Sequence, residues 1–341
     1  LAPDDFRLYR LSFDTASQAG LCACTALYAH GVDGAPPAEL TALAVSDAAV
    51  LKTVPGFYAV AVSERTNGTN IYSPYDSWYR ARHDGSDPSG GAVMAADAFA
   101  ALVPQMASLS ERAVVSLSAW GEPLTHPDLP RLIRTVLMES GLSVLIETDG
   151  LLVTEQVCAD SAAAVAAAPR RTNGLPPLMW IVSVDACTEE TYRAVWRGAP
   201  TFLQAQQAVA LLTQYFPGDV YPQLMRMDVN EAELEQFYRF WSDSASPSGG
   251  KLIIQKYDSY CGVLSDRKPA DLSPLGRHPC WHLRRDMTIL TDGTVPRCHE
   301  CYYTHTVGNV FDTSVADVWK KMTLQEDADC GKCDEYYTYN F

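Results

Sequence analysis

The chain has 341 residues, 47% of them hydrophobic and 20% charged, with a net charge of −15 at pH 7. That size can bury a large core and divides naturally into one barrel-sized domain and a smaller one. The acidic balance argues against nucleic acid and anionic membrane surfaces as partners, because neutralising phosphates needs clustered Lys and Arg, and no apolar run is long enough to span a bilayer.

The chain starts at Leu1 rather than Met, as a segment of a longer protein would, so a further N-terminal domain is expected before it. Residues 1–56 read as a helical accessory segment. A strand or extended arm is predicted at 6–11, an apolar helix at 16–28, and a second helix near 37–45 opened by Pro36-Pro37. From Phe57 a repeating pattern sets in. Short apolar strands are predicted at 57–62, 114–118, 142–147, 179–184, 219–227 and 251–255. Helices are predicted between them at 94–109, 129–138, 159–168, 189–196 with 201–215, and 231–241. The stretch 63–92 reads as a long polar loop. Six βα units in a row make an α/β fold, either an open partial barrel or a doubly wound sheet. In both, the chemistry sits at the carboxyl ends of the strands.

Polar residues gather at those predicted strand ends. Trp120-Gly121-Glu122-Pro123 follows the second strand, Glu147-Thr148-Asp149-Gly150 ends the third, and Ser183-Val184-Asp185 ends the fourth. Gly121 lets a ligand approach the backbone, and Glu122 can present its carboxylate to a ligand amine. Glu147, Asp149 and Asp185 suit ribose hydroxyls or an amine. Each alone is equally an ordinary cap or turn residue; their repetition points to a shared cavity.

After residue 255 the texture becomes turn-rich, marking a passage into a small domain. A hairpin is expected from 286–290 and 295–298 around Thr291-Asp292-Gly293, then a short helix at 314–322. Cys280, Cys298 and the CxxC pair Cys330 and Cys333 fall here, with Cys301 and Cys261 as further thiols. Four thiolates suit either structural zinc or an iron–sulfur cluster. His299 and His305 are possible zinc partners, and core cysteines are the remaining alternative. A metal would supply much of the folding energy of so thin a core. Ten cysteines fall short of a disulfide scaffold, and metal-bound thiolates favour a reducing, cytoplasmic compartment.

The run 57–257 resembles a radical S-adenosylmethionine (SAM) domain. Residues 115–129 match its Gly-Gly-Glu-Pro region, with Trp120 where the first Gly usually sits. Glu147-Thr148-Asp149-Gly150 resembles its Thr-Asn-Gly turn, and Val182-Ser183-Val184-Asp185 its fourth strand. Cys280, Asp292-Gly293 leading to Cys298, Val307-Gly308-Asn309-Val310, Trp319 and Cys330-x-x-Cys333 resemble a SPASM or shortened twitch domain. In detail the chain is similar to the spiro-SPASM proteins of spirochaetes. The resemblance implies a partial (β/α)6 TIM-like barrel at 57–257 and a cysteine-rich SPASM/twitch domain at 258–341. It implies SAM contacts from Gly121, Glu122, Asp149, Ser183 and Asp185. It also implies one [4Fe–4S] cluster on Cys280, Cys298, Cys330 and Cys333, with Cys301 and Cys261 as additional candidates and zinc as the alternative metal.

One departure is decisive. Where the family carries CxxxCxxC after the first strand, this chain has Thr66, Asn70 and Ser73. Hydroxyls and amides are poor iron ligands beside thiolates. The expected protein is therefore a pseudoenzyme with weak or no SAM binding, an auxiliary cluster, and a peptide or protein partner. The alternatives are a non-radical enzyme using Glu122, Asp149 and Asp185, a radical enzyme with unusual cluster ligands, and a structural zinc module.

Overall fold

A computed structural model describes residues 14–32, 34, 36–270, 280–300, 305–324 and 328–334. The arm expected at 6–11 and Cys301 lie outside them. Two helices come first, α1 (Gln18–Ala29), capped by the Ser17 side chain, and α2 (Pro37–Ser46), opened by its own proline. Leu27 packs with Val50 and Leu51 in a small cluster of its own. Trp319 Nε1 donates to the Thr53 carbonyl at 2.9 Å, so this N-terminal segment is tied to the far end of the chain.

The repeating units follow. They are β1 (Phe57–Val60), β2 (Gly68–Asn70), α3 (Tyr75–Arg82), α4 (Ala96–Leu109), β3 (Ala113–Ser116) and α5 (Leu129–Leu137). Then come β4 (Leu142–Thr148), α6 (Glu155–Ala166), β5 (Leu178–Ser183), α7 (Glu189–Val195), β6 (Trp196–Gly198) and α8 (Phe202–Tyr215). The last units are β7 (Val220–Arg226), α9 (Leu234–Ser242) and β8 (Ile253–Lys256). After them lie α10 (Trp281–Arg285), β9 (Asp286–Ile289), β10 (Thr294–Pro296), β11 (Thr306–Asn309) and α11 (Val315–Lys321).

A seven-stranded parallel sheet, ordered β8-β7-β5-β4-β3-β1-β9, curls into an open half-barrel. Helices cover its outer face. On α5, Leu129, Leu132, Ile133, Val136 and Leu137 form an apolar stripe at helical spacing, and all are buried. The strands obey the two-residue period. Val144 and Ile146 of β4, and Trp180 and Val182 of β5, are fully buried. Their neighbours Glu147, Ile181 and Ser183 line the inner face instead. The register aligns these inward residues across the sheet: Ala59 opposite Ser116, Glu147 opposite Ile181, Ser183 opposite Gln223.

Two features depart from the expected pattern. The stretch read as a polar loop contains β2 and α3, and β2 pairs antiparallel with β6, Thr69 opposite Arg197. The expected hairpin is divided between two sheets. Its first arm, β9, runs parallel to β1, with Thr288 opposite Ala59, while its second arm, β10, pairs with β11. The cysteine-rich region thus contributes an edge strand to the barrel sheet.

Candidate functional site

The carboxyl ends of the strands surround a cavity of about 550 Å³. Gly121, Glu122, Glu147, Asp149 and Ser183 line it, as do Thr66, Asn70 and Ser73. Asp286 and Thr288 of β9 also reach it, and so do His282 and His299. Asp286, Thr288 and His282 carried no sequence signal, because nothing local shows that β9 joins β1, and His299 stood out only as a possible zinc partner.

Gly121 has φ of 78°, and a Cβ there would lie 2.2 Å from the Ser63 carbonyl oxygen. Glycine is therefore required where the turn after β3 crosses the chain leaving β1. The next amide, Glu122 N, donates to the Arg65 carbonyl at 2.6 Å. The Glu122 carboxylate is buried. It accepts from Leu124 N (3.0 Å), Thr148 Oγ1 (2.9 Å) and Asp149 N (3.0 Å). Asp149 accepts from Leu151 N at 2.9 Å and from Asn67 Nδ2 at 3.2 Å. Burial, then the neighbouring Asp149 carboxylate, push Glu122 above the usual carboxylate range, and burial does the same to Asp149.

Asp185 sits deeper. It is absent from the cavity lining and fully buried, with φ of 55°. Its carboxylate accepts from Tyr72 Oη (2.9 Å), Trp196 Nε1 (2.8 Å) and Met225 N (2.7 Å). It therefore binds together the segment after β2, the strand β6 and the strand β7. Burial pushes it up to about 6. Ser183, one strand register away, remains on the cavity wall.

The segment 66–73 is held to the rest of the chain by several protein contacts. Asn67 reaches Asp149, β2 is paired to β6, and Tyr72 is anchored on Asp185. Two of its side chains close local turns. Asn70 Oδ1 accepts from Tyr72 N at 3.2 Å, and Ser73 Oγ accepts from Tyr75 N at 3.3 Å.

In the C-terminal region Cys280 precedes α10, Cys298 follows β10, and Cys330 and Cys333 flank a single 3-10 turn with both side chains buried. Burial pushes the Cys280 thiol up, with Cys333 close enough to add to the rise. Arg297, also buried, donates from Nη2 to Cys330 Sγ at 3.1 Å. Cys261 lies in a left-handed turn, φ 58°, whose Gly262 faces the Lys332 side chain within the CxxC. Of these thiols, Cys280 and Cys333 are near enough to interact, and thiolates are the ligand type that thiophilic metals take. Even so, among the described residues no group of three or more His, Cys, Asp or Glu is arranged to hold a metal ion.

Comparison with known proteins gives three likenesses. The SPASM family, an iron–sulfur cluster-binding domain, matches residues 280–336. An uncharacterized protein of Treponema pallidum (strain Nichols) is 39% identical over 356 residues, spanning 100% of this chain and 94% of the relative. Among solved structures, Streptococcus suis SuiB bound to S-adenosylmethionine superposes with a TM-score of 0.60 at 12% identity, over 88% of this chain and 77% of SuiB. SuiB bound to precursor peptide SuiA gives 0.58 at 12% identity, over 89% and 76%. The anSMEcpe protein with bound AdoMet and Cp18Cys peptide gives 0.55 at 12% identity, over 83% and 88%. At such identity the structural likenesses speak for the fold. Among the described residues no helix is long and apolar enough to cross a membrane.

Proposed function

This chain belongs to the family of the Treponema pallidum protein and matches the SPASM domain at 280–336, and we propose that it is a degenerate member of the radical-SAM superfamily. In this reading it does not cleave SAM, holds one [4Fe–4S] cluster on Cys280, Cys298, Cys330 and Cys333, and binds a peptide or protein partner in the half-barrel.

The observation that carries the reading is the segment 66–73. Thr66, Asn70 and Ser73 stand where three thiolates are needed, and Asn70 and Ser73 are engaged as acceptors in local turns. Its contacts with Asp149, β6 and Asp185 give it anchors within the chain itself. The Glu122 carboxylate accepts from the Thr148 hydroxyl and the Asp149 amide. A peptide partner is supported by the size of the cavity and by the peptides bound to the structurally similar SuiB and anSMEcpe.

The test is anaerobic purification followed by metal analysis and incubation with SAM and dithionite. The expected protein is brown, carries about four iron and four sulfide per chain, and forms no 5′-deoxyadenosine. Formation of 5′-deoxyadenosine overturns the loss of SAM cleavage. Colourless protein with one zinc and no sulfide overturns the cluster.

A further inference from the structure

Of the four strand-end carboxylates singled out in the sequence, the structure spends three. Glu122 holds the β3 and β4 turns together, Asp149 closes its own turn and holds Asn67, and Asp185 gathers three donors beneath the cavity. Glu147 is different. Its amide donates to Ser118 Oγ at 2.7 Å, which fixes the backbone at the end of β4. Its side chain lines the cavity, and among the described residues the carboxylate has no hydrogen-bond or ion-pair partner.

The cations of the same cavity have partners other than Glu147. Lys256 Nζ donates to the Asp334 carbonyl at 3.2 Å, Arg285 Nε donates to Asp286 Oδ1 at 2.7 Å, and His282 Nδ1 also contacts Asp286. Burial alone pushes Glu147 up to about 7, with no cation of the chain pulling it down. A carboxylate left in that condition gains most from a ligand that brings its own positive charge, since a pair shielded from water attracts more strongly than one in bulk solvent. The rings of Tyr72, Trp120 and Trp196 line the same space and suit the aliphatic stem and cationic head of a long side chain.

We propose that Glu147 anchors the ammonium or guanidinium group of a Lys or Arg side chain, carried by a peptide that enters the half-barrel. This rests on the reading of the cavity as a peptide site and adds the chemical class of the residue it selects.

The experiment compares acetyl-Gly-Gly-Xaa-Gly-Gly-amide peptides, with Lys, Arg, norleucine or Glu at Xaa, binding to the anaerobically purified chain and to Glu147→Gln. The Lys and Arg peptides should bind about tenfold more tightly than the norleucine peptide. In Glu147→Gln that advantage should vanish while norleucine binding stays the same, with an unchanged near-ultraviolet circular dichroism spectrum confirming the fold. Equal affinity for Lys and norleucine in the natural chain overturns the role of Glu147 and leaves a peptide site standing. A Lys preference that survives Glu147→Gln also overturns it. Failure of all four peptides to bind overturns the peptide site itself, and the inference falls with it.

Discussion

The indole of Trp120 lies flat on the imidazole of His299, with ring centroids 4.6 Å apart and planes 5° from parallel. Trp120 also stacks on Tyr75 at 5.7 Å and meets Trp78 and Tyr260 edge-on or tilted. One side chain therefore joins the helix after the altered cysteine motif, the turn after β3 and the cysteine-bearing C-terminal segment. Such ring pairs contribute beyond the area they bury.

Trp120→Gly would restore the residue type that the related segment usually carries, yet it removes a ring that is only 6% exposed. The expected loss of stability is about 3 kcal/mol, at the low end for deleting a buried aromatic ring. The variant should also form no 5′-deoxyadenosine, since the glycine alone supplies no iron ligand. Urea unfolding measures the first effect. A loss below about 1 kcal/mol would mean that the rings coexist without holding the two regions together.

Asp185 offers a separate test of the frame beneath the cavity. Asp185→Ala leaves the Tyr72 hydroxyl, the Trp196 indole and the Met225 amide without their acceptor. Each buried donor left unmet costs about 1–3 kcal/mol, and alanine at a φ of 55° adds strain. Asp185→Asn keeps one carbonyl oxygen and a residue tolerant of the left-handed region, so it should lose less than half as much. Comparable losses for the two variants would remove the hydrogen bonds from the explanation.

In the C-terminal region the contact from Arg297 to Cys330 Sγ predicts a property of the proposed cluster. Hydrogen bonds to ligating sulfur stabilise the reduced, more negative state and raise the potential. Arg297→Gln should therefore lower the midpoint potential while the iron content stays the same, as read by a redox titration followed by electron paramagnetic resonance. An unchanged potential at full iron content would mean that Arg297 only packs against the thiol.

The units of the half-barrel were legible because their strands are short apolar runs, and burial on both faces demands such runs. Trp180 and Val182, or Val144 and Ile146, announce β5 and β4 without any partner in view. The β2–β6 ribbon gave no such signal. Gly68, Thr69 and Asn70 lie at the cavity rim and bury no apolar stripe, so only their pairing with Trp196–Gly198 makes them a strand. The β9 strand misled for the opposite reason. Asp286-Met287-Thr288-Ile289 followed by a Thr-Asp-Gly turn is a sound local hairpin signal, but β1 had an open edge and an aligned register to offer. Strand-end acids were visible as a group. Which of them was spoken for depended on donors distant in sequence: Asn67 for Asp149, Thr148 for Glu122, and Tyr72 and Trp196 for Asp185.

Glu147 has a consequence for stability as well as for binding. Its pKa rises on folding from an ordinary 4.5 to about 7, caused by burial. The folded chain therefore holds this proton more tightly than the unfolded chain. Its relative stabilising effect is complete below about pH 4.5 and is lost as pH rises through about 7. Above that pH the ionised, poorly solvated carboxylate is a net penalty, at most about 3 kcal/mol by the linkage relation and less to the extent that cavity water reaches it. Glutamine keeps the shape and cannot ionise. Glu147→Gln should thus match the natural chain in urea unfolding at pH 4.5 and exceed it at pH 8, with the gap opening progressively between. A gap independent of pH would place the carboxylate in ordinary solvent, and a less stable variant at pH 8 would mean that Glu147 has a cationic partner within the fold.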